Sequence, residues 1–277
     1  MTSNSFQPRI AFDLSHKVAV VTGGYGVLGG AIGEALGGTG ARVAVLGRSV
    51  SRADEKVRQL EEAGATAIAL VADALNREQL EEARRHVLET WGRIDILVNA
   101  AGGNVARARS DRTPVFELPL EGFDEVVRLN LHASVYPSMV FGSAMAEAGR
   151  GSILNISSMA AQQALSGAMG YSAAKAAIDN FTRWLAVDMA RRYGDGLRVN
   201  AIAPGFFIAE QNRALLVNED GSLTPRGKTI VSQTPMGRFG EPQELQGTAV
   251  WLCSDAASFV TGAVIPVDGG FIAFSGV

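Results

Sequence analysis

Tyr171-Ser-Ala-Ala-Lys175 sets a phenol and an ammonium four residues apart in a stretch with helical periodicity, so both lie on one helix face. A cation close to a phenol stabilises the phenolate, by about one to three pKa units for near opposite charges, and equips the tyrosine to exchange a proton near neutral pH. The plainer reading is a half-exposed tyrosine beside a surface lysine. Ser158 follows the apolar run Ser152 to Ser157, where a hydroxyl could reach a substrate oxygen or simply end a loop. A different chemistry belongs to Thr22-Gly23-Gly24-Tyr25-Gly26-Val27-Leu28-Gly29-Gly30. A glycine-rich turn between a strand and a helix turns backbone N–H groups and the positive helix end toward a diphosphate. Alone it reads equally well as a structural turn. Its place at the first strand-to-helix junction, before a second strand ending Leu46-Gly47-Arg48, favours a dinucleotide.

Those residues need a frame. Short apolar runs at Lys17 to Thr22, Arg42 to Leu46, Ala65 to Ala72, Ile94 to Asn99, Ser152 to Ser157, Leu197 to Ile202 and Ala263 to Val267 read as strands. Their Val, Ile and Leu content without polar alternation suits parallel strands covered on both faces. Helical stretches lie between them at Ser51 to Ala63, Arg77 to Trp91, Glu121 to Ala148, Ser172 to Tyr193 and Glu241 to Ser254. Strand and helix in alternation predict βαβ units, right-handed crossovers and an open, doubly wound α/β sheet. Such sheets bind ligands beyond the carboxyl ends of the strands, where strand order reverses.

Composition narrows the function. The chain has 277 residues, 47% hydrophobic and 19% charged, enough for one large core and too apolar for a disordered chain. A net charge of −3 supplies no basic field for nucleic acid or anionic membrane. The single cysteine, Cys253, can form neither an internal disulfide nor a cysteine-based zinc site. His16, His86 and His132 lack ligand spacing, so no metal is expected. The opening stretch has no apolar core of signal-peptide type, and no segment reaches the roughly 20 apolar residues of a membrane span, so the expected setting is cytoplasmic. Thirty-two glycines fall singly or in pairs between apolar runs, and no linker divides the chain.

Taken together, the glycine turn, Asn99-Ala100-Ala101-Gly102, Asn130, Ser158, Tyr171-x-x-x-Lys175 and Pro204-Gly205 resemble, in order and spacing, the short-chain dehydrogenase/reductase family from Lys17 to Gly270. The resemblance implies a single Rossmann-type NAD(P)-binding domain over residues 1–277, with a parallel sheet of about seven strands, helices on both faces and a substrate lid at about 204–235. It implies that Tyr171 is the acid/base, that Lys175 lowers its pKa and holds the nicotinamide ribose, and that Ser158 orients the carbonyl. The thirteen-residue step to Tyr171 favours Ser158 over Ser157. Asn130 would hold a relay water. Asn99 to Gly102, with Asp73 and Ala74, would line the adenosine side. The turn residues Gly23, Tyr25, Gly26, Val27 and Leu28, with Pro204, Gly205, Phe207 and Ile208, would complete the cofactor site. The chain departs from the family pattern at Val27, where a glycine is usual, and at Ala209, where a threonine is usual.

The C-terminal third, from Pro204 to Arg213, Thr234 to Gly240 and Val267 to Val277, is similar to the family's D-mannonate oxidoreductase (D-fructuronate reductase) branch. That branch implies a sugar-acid substrate and a homotetramer, for which the apolar tail with Phe271 and Phe274 suits an interface. Asn104, Gln211, Asn212 and Arg213 are the substrate candidates beside Ser158, because amides and a guanidinium suit hydroxyls and a carboxylate. The bland reading of Gln211 to Arg213 is a solvated helix start. Strand two ends in Gly47, not the Asp or Glu that accepts from a ribose 2′-OH, and Arg48 and Ser49 follow. NADP(H) is therefore favoured, with NAD(H) the alternative, and Gly47→Asp is expected to move preference toward NAD(H). The competing functions are another ketone reductase, of gluconate, ketoacyl or steroid type, or a regulator that binds cofactor without turnover.

Overall fold

The computed structural model describes residues 11–110, 113–210 and 212–276. Seven parallel strands form one sheet in the order β3-β2-β1-β4-β5-β6-β7. They are β1 (Val18–Thr22), β2 (Arg42–Gly47), β3 (Ala67–Val71), β4 (Ile96–Asn99), β5 (Gly151–Ile156), β6 (Leu197–Pro204) and β7 (Val264–Val267). The helices are α1 (Val27–Gly38), α2 (Val50–Glu62), α3 (Arg77–Trp91), α4 (Leu120–Val127), α5 (Ala133–Ala148), α6 (Met169–Tyr193), α7 (Arg213–Leu216), α8 (Pro225–Gln233) and α9 (Gln246–Cys253). The doubly wound α/β domain expected from the sequence is the fold observed. Among the described residues no helix is long and apolar enough to cross a membrane.

Neighbouring residues of one strand serve opposite cores. Ala19 and Val21 of β1 join Leu36 of α1 and Leu245, Val250 and Leu252 around α9. Val18 and Val20 join Leu80 and Val87 of α3 and Phe141 and Met145 of α5. Both strand faces are dry, which explains the absence of polar alternation. Each fully buried Leu or Ile in these layers contributes roughly 1.5–3 kcal/mol.

Two elements differ from expectation where the chemistry lies. The stretch expected as one helix from Glu121 to Ala148 is interrupted by a turn of π-helix at Arg128–His132, which carries Asn130. The long helix α6 starts at Met169, ahead of the expected Ser172, so Tyr171 sits in its first turn rather than before it. Strand order reverses between β1 and β4, each of which pairs with the other and with a strand on its far side. The site opens at their carboxyl ends.

Candidate active site

The turn after β1 is shaped to hold an anion. Gly23 has φ +62°, and a Cβ there would lie 2.9 Å from the Ala100 carbonyl oxygen. A Cβ at Gly29 would lie 2.5 Å from the Gly23 carbonyl oxygen, so the first turn of α1 can press close only without side chains. Gly26 caps α1 with no side-chain acceptor, and its first turn carries no acid. The N–H groups at that end therefore keep their capacity for a ligand. Val27 is the first residue of α1 and lines the cleft, with 40% of its surface exposed. The glycine spacing at 23, 26 and 29 thus survives the valine. These features fit the diphosphate of a dinucleotide.

The cleft has a volume of about 740 Å³ and is lined by Arg48, Arg52 and Asp73 beyond β2 and β3, by Arg109 beyond β4 and by Arg226 of α8. Among the proposed cofactor residues, Gly23, Tyr25, Gly26, Val27, Leu28, Arg48, Asp73, Ala74, Ala100, Ala101, Gly102, Pro204, Gly205 and Phe207 line it. Asn99 does not. Its Nδ2 donates to Ser138 Oγ and to Asn155 Oδ1, both at 2.8 Å, which ties β4 to α5 and β5 behind the wall. Ile208 is off the wall as well. Ser49 caps α2, its Oγ accepting from the Arg52 N–H at 3.4 Å.

In the middle of the cleft Ser158, Tyr171 and Lys175 converge. Ser158 follows β5, and its Oγ accepts from the Ala160 N–H at 3.1 Å, which fixes the hydroxyl near the strand end. The Tyr171 side chain lies near enough for the Ser158 hydroxyl to lower the phenol's pKa. Lys175 lies one helical turn beyond Tyr171, 4% exposed, and its Nζ donates to the Ile156 carbonyl at 2.7 Å. Nζ stands 5.5 Å from the Tyr171 ring centroid. Asn130 is fully buried and off the wall; its Nδ2 donates to the Gly103 and Val126 carbonyls at 2.7 and 2.8 Å, and its Oδ1 accepts from the Gly103 N–H at 3.1 Å. The π-turn thereby fastens the Gly102–Gly103 loop against Lys175.

Electrostatics reverse one expectation from the sequence. Although Tyr171 as a residue is half-buried, desolvation at its hydroxyl pushes the phenol above its ordinary pKa, and the neighbouring Ser158 hydroxyl offsets this only in part. Tyr171 is therefore held as the neutral acid in the structure described. The ammonium that was expected to lower it is itself buried. Burial pushes Lys175 down to about 8, a fall limited by the carboxylate of Asp179. Asp179 is buried one turn further on and accepts from Ser157 Oγ.

An ammonium with a depressed pKa is fully charged well below that value and loses its charge as pH rises through it. For ketone reduction kcat/KM should therefore fall as pH rises through about 8, because kcat/KM reports the free enzyme's groups. Lys175→Arg should carry that limb to higher pH. A profile flat from about pH 7 to about pH 9 would remove the Lys175 charge from the essential groups.

The substrate end departs most from the sequence reading. Arg213 is exposed on α7 and is not on the cleft wall. Asn212 reaches the wall, but its Oδ1 accepts from the Ala209 N–H at 2.7 Å and its Nδ2 donates to the Phe207 carbonyl at 2.9 Å, bracing its own loop. Gln211 lies outside the described residues. Asn104 lines the cleft, its Oδ1 accepting from the Val105 N–H at 3.0 Å. The cations that do line this end are Arg109 and Arg226. Arg226, half-buried on α8, donates from Nη1 to Ser166 Oγ and from Nη2 to the Ser166 carbonyl, both at 3.1 Å. Sequence reasoning missed Arg226 because it lies 51 positions beyond Lys175 and no periodicity links them. It missed Arg52 too, although a cation one turn into the helix after Gly47-Arg48 was a readable signal.

A parallel sheet with an open helix end at its switch point, and a Ser–Tyr–Lys cluster beside it, define a class: enzymes that move a hydride between a nicotinamide dinucleotide and a carbon–oxygen bond. Comparison with known proteins makes this specific. A family model described as enoyl-(acyl carrier protein) reductase matches residues 26–272. The chain is 44% identical over 275 residues to the uncharacterized oxidoreductase UxuB of Bacillus subtilis, covering 96% of this chain and 98% of that one. It is 33% identical over 261 residues to 5-keto-D-gluconate 5-reductase of Escherichia coli K12, covering 94% and 97%. A Haemophilus influenzae protein, provisionally described as a D-mannonate oxidoreductase and crystallised with NAD, superposes with a TM-score of 0.89 at 39% identity, covering 98% of this chain and 100% of that one. The chain belongs to the short-chain dehydrogenase/reductase family and is an NAD(P)-dependent oxidoreductase acting on alcohols or ketones.

Proposed function

We propose that this enzyme interconverts a ketose-type sugar acid and its secondary alcohol, D-fructuronate and D-mannonate being the pair of choice. The observation that carries the reading is Arg226, a half-buried guanidinium on the wall of the same cleft as Ser158 and Tyr171, where a distal carboxylate needs a partner. The relatives described as a keto-gluconate reductase and a D-mannonate oxidoreductase support the substrate class.

The bound nicotinamide supplies or accepts the hydride. The protein's residues do the rest. Ser158 Oγ and the Tyr171 hydroxyl hold the ketone oxygen, and Tyr171, kept protonated by its surroundings, gives that oxygen its proton. Lys175 holds a cation beside the phenol and the nicotinamide ribose. Asn130 is a positioning residue in this scheme, fixing the Gly102–Gly103 loop, with a relay water as its further role. Residues 204–235 act as the lid over the substrate, latched through Arg226 on Ser166. Ser49 acts through the turn it caps, Asn99 and Ile208 support the wall from behind, Arg213 belongs to the lid's outer part, and Gln211 is kept as a candidate contact to the substrate. The active form is a homotetramer.

Cofactor preference is assigned to NADP(H). Arg48 and Arg52 line the end of the cleft beyond β2, and no acid follows that strand to repel a 2′-phosphate. One panel tests substrate and cofactor together: ketohexuronates, keto-gluconates, a ketoacyl ester and a steroid ketone, each with NADH and NADPH. The highest kcat/KM is expected for D-fructuronate with NADPH. Turnover of only the apolar ketones would overturn the sugar-acid assignment, and tighter binding of NADH would overturn the cofactor assignment.

A further inference from the structure

We propose that Tyr25 determines how the cofactor's adenosine ribose is read, standing in for the acidic side chain that β2 lacks. Gly47 ends β2 with no left-handed backbone to demand a glycine. Space makes the demand. A Cβ at Gly47 would lie 2.1 Å from Tyr25 Cε1, 2.7 Å from Cζ and 2.9 Å from the hydroxyl oxygen. The ring that fills this volume comes from the glycine turn, and it is pinned on three sides. Its hydroxyl accepts from the N–H groups of Arg48 at 3.0 Å and Ser49 at 3.2 Å. The Arg52 guanidinium lies over the ring, 4.7 Å from its centroid.

A phenol oxygen that accepts two N–H bonds has used its acceptor capacity and keeps only its O–H to donate. A carboxylate in this place accepts from a ribose hydroxyl and repels a phosphate. Tyr25 inverts that polarity. As a donor it satisfies either a ribose hydroxyl or a phosphate oxygen, and discrimination passes to the charges of Arg48 and Arg52, which flank it on the cleft wall. The expectation that Gly47→Asp alone moves preference toward NAD(H) is corrected on the same ground. A side chain at 47 enters only by pushing Tyr25 off both N–H groups.

The proposal rests on the cleft taking a nicotinamide dinucleotide and not on which one it prefers. Dissociation constants for NADH and NADPH, read from the reduced cofactor's fluorescence, test it directly, with thermal unfolding as a check on folding. Tyr25→Phe keeps the ring over Gly47 and should weaken both dinucleotides about five- to tenfold, the size of one lost hydrogen bond. Gly47→Asp alone should weaken both as well. The double variant, Gly47→Asp with Tyr25→Ala, should bind NADH again and reject NADPH. Undiminished, NADH-preferring binding by Gly47→Asp alone would overturn the proposal, as would unaltered affinities in Tyr25→Phe. If the unaltered protein binds neither dinucleotide, the cofactor reading falls and takes this one with it; if it binds and only the variants fail to respond, this proposal alone falls.

Discussion

Tyr171→Phe should lower turnover by about 10²- to 10⁴-fold, the usual worth of a positioned general acid, while the protein remains folded and binds its cofactor. The ring still packs in the first turn of α6, and Lys175 still donates to the Ile156 carbonyl. Only the proton destined for the new alkoxide is missing. Because burial keeps that phenol protonated, the loss should be large in the reductive direction throughout the neutral range. Steady-state assays beside a cofactor titration separate the two readouts. Near wild-type turnover in the Phe variant would remove Tyr171 from the proton path, and a parallel collapse of cofactor affinity would make its role one of binding.

The second large effect is expected at Arg226. A hydrogen bond to a charged group is worth roughly 1.5–3 kcal/mol, so Arg226→Ala should cut kcat/KM for a carboxylate-bearing ketose by about ten- to a hundredfold. An uncharged ketose of the same length should be affected far less. Arg213→Ala should leave both nearly unchanged, since that side chain is exposed away from the cleft. Arg226 also fastens α8 to the loop after β5 through Ser166, so Arg226→Lys helps to separate charge from latch. Lysine keeps the charge but not the two-pronged grip. Equal losses on charged and neutral substrates would show that Arg226 only closes the lid.

The amino-acid sequence by itself determined what depends on local order. Apolar runs without alternation specified a parallel sheet buried on both faces, as in β1, where adjacent valines enter opposite cores. The glycine turn was legible as a candidate phosphate-binding junction because its position after the first strand is a matter of chain order alone. Tyr171 and Lys175 were legible because one helical turn joins them, and Ser158 because its distance from Tyr171 is a linear spacing. What only the tertiary structure decided depends on which side chains meet across the fold. Arg226 faces the same cleft as Lys175 from a helix far along the chain, and Arg213, nearer in sequence to the expected lid contacts, does not. Asn212 has suitable chemistry for a sugar hydroxyl, yet the loop's own backbone groups engage it. Burial, which no residue type reveals, set the direction of the Tyr171 and Lys175 shifts. The glycine at 47 looked like a missing acid, and in three dimensions it is the clearance for the ring of Tyr25, because two strand ends brought side by side in the sheet leave room for one side chain only.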